Sequence, residues 1–351
     1  MADGAVLEQR REAAGQVELD DRVRIDIHPG GVPAIIRARD LRLAQDMDAF
    51  AEWFRRNKET FDRLAVVHGA LLFRDFPTRG TAEFARAIDH YPTNDLNYVG
   101  GAVKRAQIDG RVMETTNAPK HWPFQMHQEM AYLPRFPRMI AFFCNQPPPA
   151  GGETLVADFR LLEQRLPRRF WDEVKERGVR YVRNFRAPAE IDPSRAEMHN
   201  TWVTAFQTED PAGAEEACRS VGLDPIWETD GSLSAVFVAS GFTQHGLTGE
   251  TVWFNHIASQ TQNRRNMGAE RWALYNRHYG AGDKPRPYCT TYADGGEIDA
   301  ADVEDLQLTI EAITQSLRWE QGDILLVDNV LTAHGRSPFD GVRDIQVALL
   351  G

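Results

Sequence analysis

The apolar positions along this chain repeat with two different periods. In "LAQDMDAFAEWFRRNKETFDRLAVVHG" (43–69) they fall three and four residues apart, which predicts an amphipathic helix ending near Gly69. "ALLFRDF" (70–76) predicts a strand stopped by Pro77, and "TAEFARAIDHY" (81–91) a second helix. From residue 138 onward the apolar runs become short and strand-like: "RMIAFFCNQ", "ETLVAD", "VRYVRNF", "SLSAVFV", "ETVWFNHI", "GDILLVDN" and "RDIQVALLG". Two longer helical patterns interrupt them, "FRLLEQRLPRRFWDEVKERG" with Gly178 as its stop and "EDLQLTIEAITQSL". Between the two regimes, "LNYVGGAVKRAQIDGRVMETTNAPKHWPF" (96–124) mixes short strands with Gly, Asn and Pro breakers, and reads as a lid beside a site. The pattern predicts one domain over residues 1–351, mainly β with flanking helices (α+β), after a flexible leader over 1–20.

Composition narrows the functional classes. Hydrophobic residues at 42% and charged residues at 26% are those of an ordinary globular protein. A net charge of −11 argues against nucleic acid or anionic membrane as a partner, since both need a basic surface. The basic pairs Arg168/Arg169 and Arg264/Arg265 read as solvated faces. Cys144, Cys218 and Cys289 are odd in number and far apart, which gives neither a disulfide framework nor a zinc pattern; a reducing cytoplasm is the expected location. No run approaches the ~18 apolar residues of a membrane span, and the N-terminal stretch lacks the apolar core of a signal peptide.

Chemistry enters at "FQMHQEMAYL" (124–133). With 10 histidines and 51 acidic residues among 351, roughly one His-x-acid pair arises by chance, so His127 and Glu129 decide nothing alone. On a strand they would share one face with Gln128 turned away. A third ligand is then needed, and His334 in "GDILLVDNVLTAHGRSPFDGVRD" is the candidate, at the end of an apolar strand and close to two arginines. Two imidazoles and one carboxylate on one face of an ion leave open positions, the arrangement of non-haem Fe(II) oxygenases, although Zn or Mn would accept the same donors. His121 and His256 are weaker candidates, the first a packing corner beside Trp122 and the second a structural histidine on a strand. Gln125 shares a strand face with His127 and is a candidate for the substrate pocket. Cys144 sits in an apolar strand and reads as core rather than nucleophile. No phosphate loop and no Gly-x-Ser-x-Gly elbow is present.

Over residues 60–351 the ordered blocks "GALLFRDF", "MHQEMAYLPRFP", "PPPAGGETLVADFRLL", "TGETVWFN" and "GDILLVDNVLTAHGRSPFDGVRD" resemble the TauD/TfdA-like superfamily of Fe(II)/2-oxoglutarate-dependent dioxygenases. Within it, the chain is most similar to amino-acid hydroxylases of natural-product clusters, of the syringomycin-pathway type. The resemblance implies a double-stranded β-helix (jelly-roll) core, with Fe(II), 2-oxoglutarate and O2 as reactants. It implies His127, Glu129 and His334 as iron ligands, and Thr154 as the hydroxyl that bonds a 2-oxoglutarate carboxylate. Arg343 would form a bidentate pair with the far carboxylate, with Arg336 as its rival.

The resemblance further implies hydroxylation of an amino acid or amino-acid-derived small molecule, giving succinate and CO2 as coproducts. Halogenases of this type carry a small residue where Glu129 stands. Desaturation, epoxidation and cyclisation stay open, as does a substrate carried on an acyl or peptidyl carrier protein. Carrier proteins are usually acidic, and a chain of net charge −11 would need a local basic patch to receive one. From another class, a non-catalytic jelly roll that holds a metal or a small acid is the alternative, and succinate formation separates the two.

Overall fold

The computed structural model describes residues 19–94, 106–115, 119–189, 199–282 and 285–351. Nearly all of the expected leader, and residues 95–105 and 116–118 of the expected lid, lie outside the described residues.

Two sheets form the jelly roll. The larger runs in the order Val23–Ile27, Ala34–Ala38, Ala70–Arg74, Ile324–Asp328, Met139–Gln146, Asp344–Leu350, Val112–Glu114 and Gln107–Asp109. Its pairs are antiparallel except that of Ala34–Ala38 with Ala70–Arg74. The smaller runs Gln315–Leu317, Thr154–Asp158, Thr332–Arg336 and Phe124–His127, all antiparallel. A further four-stranded sheet contains Asp224–Trp227, Leu233–Ala239, Val179–Phe185 and Tyr288–Tyr292.

The central strands of the larger sheet carry near-continuous apolar runs because both faces are covered. Ile324, Leu326, Ala141, Phe143, Ala348 and Leu350 pack with Phe50, Trp53, Phe54 and Phe61 of the N-terminal helices. Their alternates Leu325, Val327, Ile140, Phe142, Val347 and Leu349 face inward with Val156 and Leu317 of the smaller sheet. The period of two is thus preserved inside a run that looks uniformly apolar. Cys144 belongs to the inner face, fully buried, and burial pushes its thiol up to about 12, as a core residue requires.

Two expected helices are divided. The first becomes Leu41–Gln45, Met47–Arg56 and Lys58–His68, ending at Gly69 with φ 72°. The Asp46 carboxylate accepts from the Asp48 and Ala49 amides and so starts a new helix. The helix expected over 159–178 separates into Phe159–Leu161, Leu162–Arg165 and Arg168–Arg177, because Pro167 has no N–H to continue the ladder.

The strand expected through "ETVWFNHI" covers only Thr251–Trp253, and His256 lies beyond it, directly before the helix Ile257–Gln260. The basic pairs are exposed, and three of the four arginines are joined to acids: Arg168 to Asp172, Arg169 to Glu173 and Asp302, Arg265 to Glu304 and Glu311. Among the described residues no helix is long and apolar enough to cross a membrane.

Candidate metal centre

His127 and His334 are opposite each other in the pairing of Phe124–His127 with Thr332–Arg336, and their ring centroids are 4.3 Å apart. Glu129 joins them from the turn that follows. One ligand atom from each of the three lies within 4.8 Å of the others. His334 Nε2 lies 3.8 Å from Glu129 Oε2, too long for a hydrogen bond.

The expectation that the His-x-Glu pair sits on a strand needs correction. The strand ends at His127, and Glu129 is carried by a turn. Gln128 does turn away from the centre, but into full burial, where its amide donates to the Trp253 and Val330 carbonyls at 3.1 and 2.7 Å. Met130, the next residue after Glu129, has φ 60°, a left-handed conformation that a bulky side chain rarely adopts. Such strain persists only where the surroundings over-determine it.

Those surroundings are explicit. Asn329 Oδ1 accepts from the Glu129 amide at 2.6 Å, and Asn329 Nδ2 donates to the Glu129 and Pro137 carbonyls at 3.0 and 2.8 Å. His256 Nε2 donates to the Gln128 carbonyl at 2.6 Å, so this ring is oriented by the ligand turn. Burial, with a smaller contribution from His127, pushes His256 down to about 4, which keeps it neutral.

The His127 tautomer follows from a single contact. Its Nδ1 faces the Gln125 carbonyl at 2.9 Å, and a carbonyl only accepts, so the proton sits on Nδ1 and Nε2 keeps its lone pair for a metal. The Gln125 side chain meanwhile donates to the Asn266 carbonyl at 2.9 Å while lining the larger cavity.

Asn329 was not legible in the sequence. An Asn after a strand usually signals a turn, and nothing in the spacing shows that it reaches a turn 200 residues back. Replacing it with alanine would orphan a buried amide and a carbonyl of the ligand turn. Asn329→Ala is expected to lower unfolding free energy by roughly 3 kcal/mol and to weaken divalent metal binding about tenfold. Denaturant melts and a metal titration check this; an unchanged midpoint and affinity would remove Asn329 from the centre.

Two cavities meet at these ligands. A small one, about 40 Å³, is bordered by His127, His334, Phe142, Thr154, Arg336 and Arg343. Arg343 Nε donates to the Gly152 carbonyl at 3.0 Å, and its Nη2 lies 3.4 Å from Thr154 Oγ1. Among the described residues no carboxylate comes within ion-pair distance of Arg343. Burial, and then the neighbouring Arg336, pushes its guanidinium down to about 10, still charged at neutral pH. Gly152, at φ 69°, allows this approach, since a Cβ there would stand 3.1 Å from Arg343 Cδ and 2.7 Å from Pro148.

Arg336 borders the same cavity, but its Nη2 donates to the Pro119 and Trp122 carbonyls. The larger cavity, about 240 Å³, opens on the other side of His127 and Glu129 and is lined by Gln125, Tyr132, Arg183, His256, Arg271 and Tyr288 among others. His121 is stacked edge-on against Trp122 and lines neither cavity.

This donor set and the adjoining half-buried cation fit a divalent metal and a small dianion. A family model described as taurine catabolism dioxygenase TauD, TfdA family matches residues 37–349. A clavaminate synthase-like protein of Arabidopsis thaliana is 28% identical over 310 residues, 87% of this chain and 88% of that protein. The dapdiamide synthesis protein DdaC of Enterobacter agglomerans is 27% identical over 289 residues, 82% of this chain and 84% of that protein. Among solved structures, the PvcB protein from Pseudomonas aeruginosa has a TM-score of 0.51 at 14% identity, covering 95% of this chain and 93% of its own. A putative alpha-ketoglutarate-dependent taurine dioxygenase from Burkholderia xenovorans also gives 0.51 at 14% identity, covering 94% and 93%. At these identities the two structures speak for the fold.

Proposed function

Because this chain belongs to the taurine catabolism dioxygenase TauD, TfdA family and is an Fe(II)/2-oxoglutarate-dependent dioxygenase, we propose that it hydroxylates an unactivated C–H of an amino acid or amino-acid-derived small molecule. In this reading His127, Glu129 and His334 hold the iron, and Thr154 and Arg343 hold 2-oxoglutarate. One observation carries it: three convergent ligand atoms lie beside a half-buried guanidinium that no described carboxylate neutralises. A dianionic cosubstrate would supply that missing charge.

When bound, iron and 2-oxoglutarate supply the oxidation, in which O2 and the cosubstrate give succinate, CO2 and one oxygen atom on the substrate carbon. The chain's own part is orientation. The Gln125 carbonyl presents His127 Nε2, and Asn329 and His256 fix the turn that presents Glu129. Thr154 Oγ1 accepts from Trp319 Nε1 at 3.0 Å, which leaves its own proton to donate to a carboxylate. Arg343 offers a planar fork for two parallel bonds to the far carboxylate.

The relation to the dapdiamide synthesis protein supports an amino-acid-derived substrate made into a natural product. Net charge −11 supports a free small molecule over one carried on an acidic carrier protein. Glu129 at the ligand position supports hydroxylation over halogenation.

The test is succinate release by anaerobically purified protein given Fe(II), 2-oxoglutarate and air, screened against amino acids and their derivatives, with product mass as the second readout. Gain of one oxygen with succinate is the expected result. Loss of two hydrogens would mean desaturation or ring closure instead. Absence of substrate-dependent succinate across free and carrier-bound panels would overturn the proposal.

A further inference from the structure

Two arginines, Arg183 and Arg271, line the larger cavity. Arg183, from the strand Val179–Phe185, is 5% exposed, and its guanidinium carbon lies 5.7 Å from the Tyr132 ring and 5.3 Å from the Tyr288 ring. Arg271, from the helix Ala269–Tyr279, lies 4.1 Å over the Trp122 ring, which fixes its plane and leaves its edge for hydrogen bonding. Among the described residues no carboxylate pairs with Arg271, and its buried Nε has no hydrogen-bond partner. Burial lowers its pKa from the ordinary arginine value.

Opposing charge is scarce around it. Glu129 is the one carboxylate among the described lining residues, and the proposed function commits it to the metal. His256 spends its Nε2 proton on the Gln128 carbonyl at 2.6 Å. Gln125, Gln260, Gln262 and Asn266 supply neutral polar groups. An incoming ammonium would therefore meet the Arg271 guanidinium and, among the described lining residues, no acid outside the metal set, whereas a carboxylate would satisfy Arg271.

We infer that the substrate is a carboxylic acid without a free ammonium group, its nitrogen absent or acylated, and that Arg271 receives the carboxylate. This deepens the proposed function and rests on it. A zwitterionic amino acid fits the cavity less well than its N-acyl derivative, because acylation removes the repelled charge and adds an amide that the neutral lining can bond.

Calorimetric titration tests this in two stages on the full chain. Mn(II) and 2-oxoglutarate are added first, which fills the small cavity without turnover. The loaded protein is then titrated with a panel of free proteinogenic amino acids, their N-acetyl derivatives and the N-acetyl amides. At least one N-acetyl acid is expected to bind about tenfold or more tighter than both its free amino acid and its amide. Arg271→Gln should remove that preference over the amide while leaving Mn(II) and 2-oxoglutarate affinity unchanged.

Failure of the loading stage would overturn the oxygenase reading and this inference with it. Intact loading followed by preference for the free amino acids, by no binding of any acid, or by an Arg271→Gln variant that binds acids like the parent would overturn this inference alone.

Discussion

Glu129→Ala is expected to abolish succinate formation and to weaken Fe(II) binding more than about a hundredfold, beyond what loss of an outer-shell group costs. The side chain is 3% exposed and is the only anionic member of the three-ligand set, so its removal leaves two neutral imidazoles to hold a dication. The fold should survive. The Glu129 backbone is held by Asn329 whatever the side chain, and stability should change by no more than about 1 kcal/mol. Glu129→Gln keeps the shape but not the charge, and is expected to lose metal almost as completely. Anaerobic Fe(II) titration with 2-oxoglutarate, read by the visible band of the chelate, reports binding without depending on any substrate. A variant that binds iron like the parent and still releases succinate would exclude Glu129 as a ligand, and with it the proposed centre.

The individual strands were largely legible because they obey local rules, while their closure into a jelly roll was implied only by the family resemblance. "RMIAFFCNQ", "GDILLVDN" and "RDIQVALLG" fold as strands where their apolar runs place them, and Gly69 and Gly178 end helices where left-handed backbone is needed. The interior helix breaks were legible only in part. Pro167 announces one, but Asp46 is a cap only because its carboxylate turns toward two amides that a helix-long apolar pattern conceals. His127 and His334 could be paired from their blocks, yet the turn carrying Glu129 could not be seen. A two-residue spacing suits a strand equally well, and the decision rests on Asn329 and His256, contacts made across 200 and 128 residues. Arg183 and Arg271 escaped for the same reason. A lone arginine on a strand or helix says nothing about which cavity it enters until the fold is closed.

Arg343→Gln is expected to raise the KM for 2-oxoglutarate at least about thirtyfold, or about 2 kcal/mol, the low end for removing one partner of a buried hydrogen-bonded charge pair. Arg336→Gln is expected to raise it less than about fivefold, because the Arg336 Nη2 is already engaged by the Pro119 and Trp122 carbonyls. The two guanidinium groups border one small cavity and repel each other, which is part of what pushes Arg343 down to about 10. In the proposed reading, a dianion in the cavity would relieve both the repulsion and the desolvation, so Arg343 would gain more from the cosubstrate than from any protein contact it makes. Arg343→Lys should recover only part of the loss, since an ammonium cannot make two parallel bonds to one carboxylate. Metal affinity without 2-oxoglutarate should stay unchanged in all three variants, which separates a cosubstrate role from general damage to the centre. If Arg336→Gln instead carried the larger penalty, the far carboxylate would belong to Arg336, and the Arg343 contacts to Gly152 and Thr154 would become a brace for the wall of the cavity. Equal penalties would mean that the carboxylate bridges both guanidinium groups.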